Sequence, residues 1–325
     1  MPAFLIAALY KFVELPDFES MQVPLQACCN ANQVKGTLLL AKEGINGTVA
    51  GPQAGVRAVL AYLRSDPRLF LLEHKESWSD KPPFVRMKVR LKKEIVTLGV
   101  PGVNPSRMAG TYVKPAHWNA LIARDDVVVV DTRNDYEVDM GTFKGAINPE
   151  VQAFSDLPQW VSRQEQPGGV LHQNDGHKPK VAMFCTGGIR CEKSTALMRM
   201  LGYDEVYHLE GGILKYLEHV AQPESQWQGE CFVFDERVSV GHGLSPGHFE
   251  LCRACGHPVG PEDRATASYV KGVSCAHCID HTSDVQKQRF AERHRQVVLA
   301  HQKGRVHIGT PPNPANSADE SVEPT

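Results

Sequence analysis

Nine cysteines stand in this 325-residue chain, and their spacing sorts them into different chemistries. Cys185 lies in the string Phe184-Cys185-Thr186-Gly187-Gly188-Ile189-Arg190-Cys191-Glu192-Lys193-Ser194, between a β-branched run that begins at Val181 and the helical spacing Ala196, Leu197, Met200, Leu201. That pattern reads as strand, tight loop, helix. Gly187 and Gly188 permit a cradle in which the amides around Thr186, Gly187, Gly188 and Ile189 turn inward on whatever Cys185 carries. An anion suits such a cradle. The helix start and Arg190 add positive charge, which should draw the thiol from its usual ~8.5 into a range of about 3.5 to 7.5. Cys185 is therefore the candidate nucleophile and Arg190 the candidate partner of its charge. Cys191 reads either as a small apolar residue or as a resolving or sulfur-accepting thiol, and the shortness of the loop favours the second.

Cys252, Cys255, Cys275 and Cys278 form two C-x-x-C knuckles separated by nineteen residues. Each knuckle can present two thiolates to one tetrahedral ion, and four thiolates close the shell, so a zinc held there is structural rather than catalytic. The alternative is four reduced thiols without metal. Cys28 and Cys29 are adjacent late in a helical pattern, face different directions, and read as packing or surface residues.

The elements that must position these groups follow from periodicity. Residues 4–13, 37–41, 47–50 and 85–91 read as strands and 17–32 and 53–65 as helices. The order β-α-β-β-α-β suggests a ferredoxin-like or acylphosphatase-like domain over 1–98, with the central hairpin turning through Glu43-Gly44-Ile45-Asn46-Gly47. In the last of these strands Arg86, Lys88, Arg90 and Lys92 alternate with apolar residues, which puts four cations on one face. They form either a solvated outer face or a stripe for a nucleic-acid backbone. Residues 99–111 carry turn formers without periodicity and read as a linker. Over 112–222, helices at 116–123, 154–163, 191–201 and 212–220 alternate with apolar strands at 127–131, 181–184 and 206–209, the pattern of a mostly parallel sheet covered on both sides. Such sheets bind ligands beyond the carboxyl ends of their strands, where Cys185 falls. Asp131 and Arg133 straddle another strand end and read as an ion pair that braces the loop. Beyond 223 a strand-like run at 227–240 precedes the knuckles, and a basic helix at 284–300, ahead of Lys303 and Arg305, reads either as a solvated helix or as a second nucleic-acid contact. The tail over 307–325 is too poor in apolar residues to fold.

Three ordered stretches resemble rhodanese-type sulfurtransferases: Val127-Val128-Val129-Val130-Asp131-Thr132-Arg133 with Tyr136-Glu137, the Cys185 loop, and His208-Leu209-Glu210-Gly211-Gly212-Ile213. The Cys185 loop has the shorter rhodanese length, one residue less than in the related dual-specificity phosphatases. The string Cys-Thr-Gly-Gly-Ile-Arg-Cys-Glu-Lys-Ser, with residues 35–48 and 231–238, is similar to one branch, the tRNA uridine hydroxylase family. The resemblance covers roughly residues 3 to 280, with a polar insertion over 164–178 as a departure. It implies a rhodanese-like central domain and oxygen-dependent formation of 5-hydroxyuridine at the tRNA wobble position, with molecular oxygen as co-substrate, tRNA as partner and Cys185 as reactive thiolate or persulfide. Two other functions compete: sulfur transfer from Cys185 to a small acceptor or tRNA, and non-catalytic RNA binding.

Composition bounds these readings. Hydrophobic residues make up 42% of the chain, enough for two or three cores, and the net charge of −2 means that any RNA surface must come from local clustering. Neither a facial-triad ligand pattern nor a Gly-rich dinucleotide fingerprint is found, so the sequence argues for no iron or nicotinamide site and no nucleotide cofactor is evident. The run Phe4 to Leu9 is too short to span a membrane, and the absence of a basic leader points to a reducing cytoplasm, where a thiolate survives. Oligomeric state is left open.

Overall fold

The computed structural model describes residues 4–173 and 176–303. It divides into two compact units, one ending at Glu250 and the other beginning at Leu251. The expected tail and Arg305 lie outside the described residues. Among the described residues no helix is long and apolar enough to cross a membrane.

The first unit opens with Phe4–Phe12 (β1), Phe18–Ala31 (α1), Lys35–Ala41 (β2), Gly44–Gly51 (β3), Gln53–Arg64 (α2), His74–Ser79 (β4) and Met87–Leu91 (β5). The sheet order is β4-β1-β3-β2-β5. Strand alternation explains its two faces: Leu5, Ala7, Leu9, Leu38, Leu40, Ile45 and Val49 bury against the helices, while Ile6, Ala8, Tyr10, Thr37, Leu39 and Thr48 face the other way. Two sequence expectations are corrected here. The fourth strand of the ferredoxin-like pattern is β4, not the run at 85–91; β5 is an additional edge strand, parallel to β2. The polar segment His74–Ser79 carries no apolar alternation, so pattern reading passed over it. The hairpin turns at Lys42 and Glu43, since Gly44 already pairs with Ala41 and Asn46-Gly47 lies within β3. Glycine at 44 and 47 serves close approach instead: a Cβ would fall 2.0 Å from the Lys11 and Thr37 carbonyl oxygens, respectively.

The stretch expected as a linker contains the helical turn Pro105–Met108 (α3), and Leu98 and Val103 bury in the core of the next domain. That domain comprises Thr111–Val113 (β6), Pro115–Ile122 (α4), Val127–Asp131 (β7), Asp135–Val138 (α5), Gly141–Phe143 (β8), Leu157–Gln164 (α6), Lys180–Phe184 (β9), Ile189–Met200 (α7), Val206–Leu209 (β10) and Gly212–His219 (α8). The sheet runs β6-β10-β9-β7, all parallel, with one apolar core on each face. The run at 227–240 is not one strand but Trp227–Gly229 (β11), Cys231–Phe232 (β12) and Ser239–Val240 (β13), and β11 pairs with β8. Residues 223–250 thus fold with the first unit rather than with the cysteine-rich module.

The two domains of this unit interlock through buried charge. Lys193 of α7 is 2% exposed and meets Glu43 at 2.8 Å, Glu94, and the Val96 carbonyl at 2.9 Å. Tyr10 donates to Glu192 at 2.7 Å. A helix this polar buries nearly all round because a sheet lies against one side and partner carboxylates against the other.

The second unit holds the knuckles, Pro258–Val259, a turn of helix at Pro261–Arg264 and the basic helix Asp284–Gln302, none of whose residues is buried.

Candidate active site

Cys185 follows the last residue of β9, and the elements around it turn the loop's donors toward the sulfur. The α8 amides of Ile213 and Leu214 donate to the carbonyls of Cys185 and Thr186 at 3.0 and 3.1 Å, engaging the loop from its carbonyl side. Gly212, at φ +68°, makes this approach possible: a Cβ there would fall 2.5 Å from the Cys185 oxygen. Gly188, at φ +103°, donates its amide to Cys185 Sγ at 3.1 Å. Thr186 instead directs its hydroxyl toward Glu137 at 3.3 Å, and Ile189 begins α7.

Burial opposes ionisation of Cys185, but the Cys191 thiol, the Arg190 guanidinium and the amides of Cys191 and Gly188 outweigh it and bring the sulfur down to about 6. Cys191 goes the other way. Burial pushes its thiol up, and a neighbouring sulfur that takes the negative charge pushes it further. Thr132 Oγ1 lies 3.7 Å from the Cys191 sulfur. The pair therefore divides into one thiolate and one proton-bearing donor.

Arg190 is not a free anion hook. It forms a bidentate bridge to Glu137, at 2.6 and 2.8 Å, with the Glu137 side chain wholly buried. Burial would raise the Glu137 carboxyl, yet Arg190 and Arg133 hold it low. Asp131 and Arg133 form a second bridge at 2.6 Å with no exposure, and Arg133 also donates to the Glu137 carbonyl at 3.0 Å and the Gly141 carbonyl at 2.5 Å. These contacts tie the ends of β7 and β8 beneath the loop.

Cys185 is 1% exposed, and what it borders is a cavity of about 670 Å³. The rhodanese-type loop forms one wall; the open face of the N-terminal sheet, with Tyr10, Thr37 and Lys75, forms another, and the exposed ring of Phe234 closes a third. Arg86, Lys88, Arg90 and Lys92 are all exposed. Lys88 and Arg90 stand beside Thr37 and Leu39 in the parallel register, so the cationic stripe borders the sheet face that lines the chamber, and Lys92 reaches its wall.

Sequence reading missed Lys75, Tyr10, Gly212 and the role of Glu137. The tandem glycines at a strand-to-helix junction were a usable signal for Gly212, whereas Glu137 meets Arg190 from 53 residues away and spacing gives no sign of it. Nothing local marks Lys75 or Tyr10, whose significance comes from which surface their sheet covers.

In the second unit the four sulfurs of Cys252, Cys255, Cys275 and Cys278 all lie within 4.8 Å of one another. Individual separations are 3.9 Å for Cys252 and Cys278, 3.7 Å for Cys255 and Cys275, and 3.8 Å for Cys275 and Cys278. A tetrahedron of zinc–sulfur bonds of about 2.3 Å has edges of about 3.8 Å. The donor set fits a metal.

An acylphosphatase-like domain laid over a rhodanese-like loop defines a two-domain class in which the loop cysteine borders a cavity between the domains. Residues 4–95 match the family described as UPF0176 acylphosphatase like domain, and residues 115–219 match the rhodanese-like domain family. A tRNA uridine(34) hydroxylase of Albidiferax ferrireducens is 63% identical over 97% of both chains. Proteins of the same name from Acaryochloris marina and Agrobacterium fabrum are 58% and 56% identical, covering 95% and 94% of this chain and 97% and 95% of theirs. The chain belongs to the tRNA uridine(34) hydroxylase family.

Proposed function

We propose that this protein hydroxylates C5 of uridine 34 in tRNA with Cys185 as the reacting thiolate: one atom of molecular oxygen replaces the C5 hydrogen as hydroxyl, an external two-electron donor reduces the other to water, and the thiolate leaves C6 unchanged. The observation that carries the reading is the chamber: Cys185 lines a partly open space within the ~300–1,000 Å³ typical of small-molecule sites, bordered by an exposed cationic edge. A uridine flipped out of its stack fits such a space, and Lys88, Arg90 and Lys92 suit the phosphates that flank it. The thiolate is matched to the electron-poor C6 of uracil; addition there moves the ring's π electrons toward O4 and makes C5, the carbon that gains oxygen, electron-rich. Cys191 keeps its proton and holds Cys185 ionised by hydrogen bonding, and its proximity also suits it to resolve an oxidised Cys185. Asp131 and Arg133 brace the loop. We assign the four C-terminal cysteines a structural zinc, supported by the fit of their sulfurs to one tetrahedral ion, and the protein to the cytoplasm, supported by a tRNA substrate and a thiolate that needs a reducing compartment.

Sulfur transfer to a small soluble acceptor needs neither the covering sheet nor the cationic edge. The test compares 5-hydroxyuridine in tRNA from cells lacking the protein, and from those cells supplied with the wild-type chain or Cys185→Ser. Restoration by the wild type and none by the variant is expected, a loss of at least about 10³-fold in rate. Equal modification with and without the protein would overturn the assignment; restoration by Cys185→Ser would remove the thiolate from it.

A further inference from the structure

One peptide group joins contacts that come from two domains. The Lys75 ammonium donates to the Gly187 carbonyl at 2.7 Å. The Gly188 amide, which belongs to the same peptide unit, donates to Cys185 Sγ at 3.1 Å. A trans peptide is planar with its C=O and N–H on opposite sides, and no described peptide bond is cis. Fixing the oxygen therefore fixes where the hydrogen points. We propose that Lys75, carried by β4 of the acylphosphatase-like domain, is a positioning residue for the reacting sulfur: it latches the Gly187–Gly188 peptide in the orientation that turns the Gly188 N–H onto Cys185.

The backbone alone does not secure this orientation. A glycine stands on each side of the peptide, and the space where a Gly187 Cβ would sit is open to 4 Å. With so little steric preference, a flipped peptide that presents a carbonyl oxygen to the sulfur costs little in itself. A cation on the oxygen disfavours the flip, and by polarising the peptide it strengthens the amide as a donor. The position of Lys75 is set by the sheet: it pairs with Ala8, whose side chain shares the chamber face, and its ammonium lies 5.6 Å from the centre of the Tyr10 ring. Burial lowers the Lys75 ammonium, and the Cys185 sulfur opposes that shift. The titratable groups facing the sulfur are Tyr10 from β1, Lys75 from β4, and Arg190, Cys191 and Glu192 from α7. Glu192 disfavours the thiolate, so Lys75 is the group through which the N-terminal domain favours it.

The proposal rests on Cys185 being the reacting thiol, and its test reads that thiol's ionisation directly, without tRNA. In the full chain, the rate of iodoacetamide alkylation of the Cys185 peptide is followed against pH by mass spectrometry. Lys75→Met is expected to raise the midpoint by about one to two pH units, with substantial restoration in Lys75→Arg. Lys75→Ala should give the same upward shift and serves if the methionine variant does not fold. Tyr10→Phe breaks the neighbouring interdomain hydrogen bond while leaving both hydrogen bonds of the peptide in place, and should not raise the midpoint. An unmoved midpoint in the folded Met or Ala variant, or an equal rise in Tyr10→Phe, would overturn the latch. Failure of the uridine assignment would leave an observed shift standing, whereas an unshifted midpoint in an active enzyme would remove Lys75 alone.

Discussion

Cys185 and the four-cysteine cluster use the same atom for opposite ends. At the cluster, each sulfur has three other sulfurs within 4.8 Å, and a tetrahedral ion held by all four would have no open coordination position. At the loop, the neighbours of Cys185 are amides, a guanidinium and one protonated thiol, and its remaining direction opens on a chamber. The first arrangement stabilises charge by sharing one cation; the second stabilises a single thiolate and leaves it a path to react. Reactivity is thus set by what surrounds a sulfur rather than by how deeply it is buried, since both Cys185 and Cys275 are 1% exposed.

The largest separable effect should come from the closed site. Cys275→Ser removes one of four ligands, and because zinc affinity of about 10–16 kcal/mol is bound up with folding in such modules, zinc content should fall from one per chain to near zero. Residues beyond 250 should become sensitive to protease, while the pH midpoint of Cys185 alkylation stays where it is. A moved midpoint would show that the two cysteine sites are not independent.

A smaller effect follows from Glu137. Glu137→Gln leaves the Arg190 guanidinium buried and without its charge partner, which should cost about 3–5 kcal/mol in urea unfolding. The same change strips Arg190 of the carboxylate that screens it, so the alkylation midpoint of Cys185 should move down. Destabilisation with an upward midpoint would mean that Arg190 leaves the loop, and would end its role as the thiolate's charge partner.

What was legible depended on whether the signal was local. The Cys185 loop, the parallel strands and the knuckles each declare themselves within a few consecutive residues, through glycine, β-branched runs or C-x-x-C spacing. The period-two stripe from Arg86 to Lys92 was visible as well, although its strand was assigned the wrong place in the sheet. β4 was invisible because a polar segment can pair as an edge strand by backbone hydrogen bonds alone, with no apolar alternation to mark it. Lys75 went with it. Tyr10 sits in an apolar strand and reads as core; only the cover of the N-terminal sheet over the loop makes it a neighbour of Glu192. The half of the chamber built by sequence-distant surfaces was therefore the half that spacing could not reveal.

The smallest effect tests whether the open-site thiol is ionised at all. Unfolded, Cys185 should titrate near 8.5; folded, it lies well below that. Between the two values the unfolded chain holds the extra proton, so this group's contribution to stability rises with pH, is complete above the unfolded value, and is lost as pH falls through the folded one. Cys185→Ser lacks the contribution, and subtracting its stability from that of the wild type cancels the other titrating groups. The difference in urea-unfolding free energy should be larger at pH 8.5 than at pH 5.5 by roughly 1–3 kcal/mol. Cys191→Ser offers the contrast: the serine hydroxyl keeps a donor beside Cys185, and the thiol it replaces stays protonated in the folded chain, so the same subtraction should not increase between those pH values. Two parallel, flat differences would make Cys185 an ordinary buried thiol and erase the distinction between the paired cysteines.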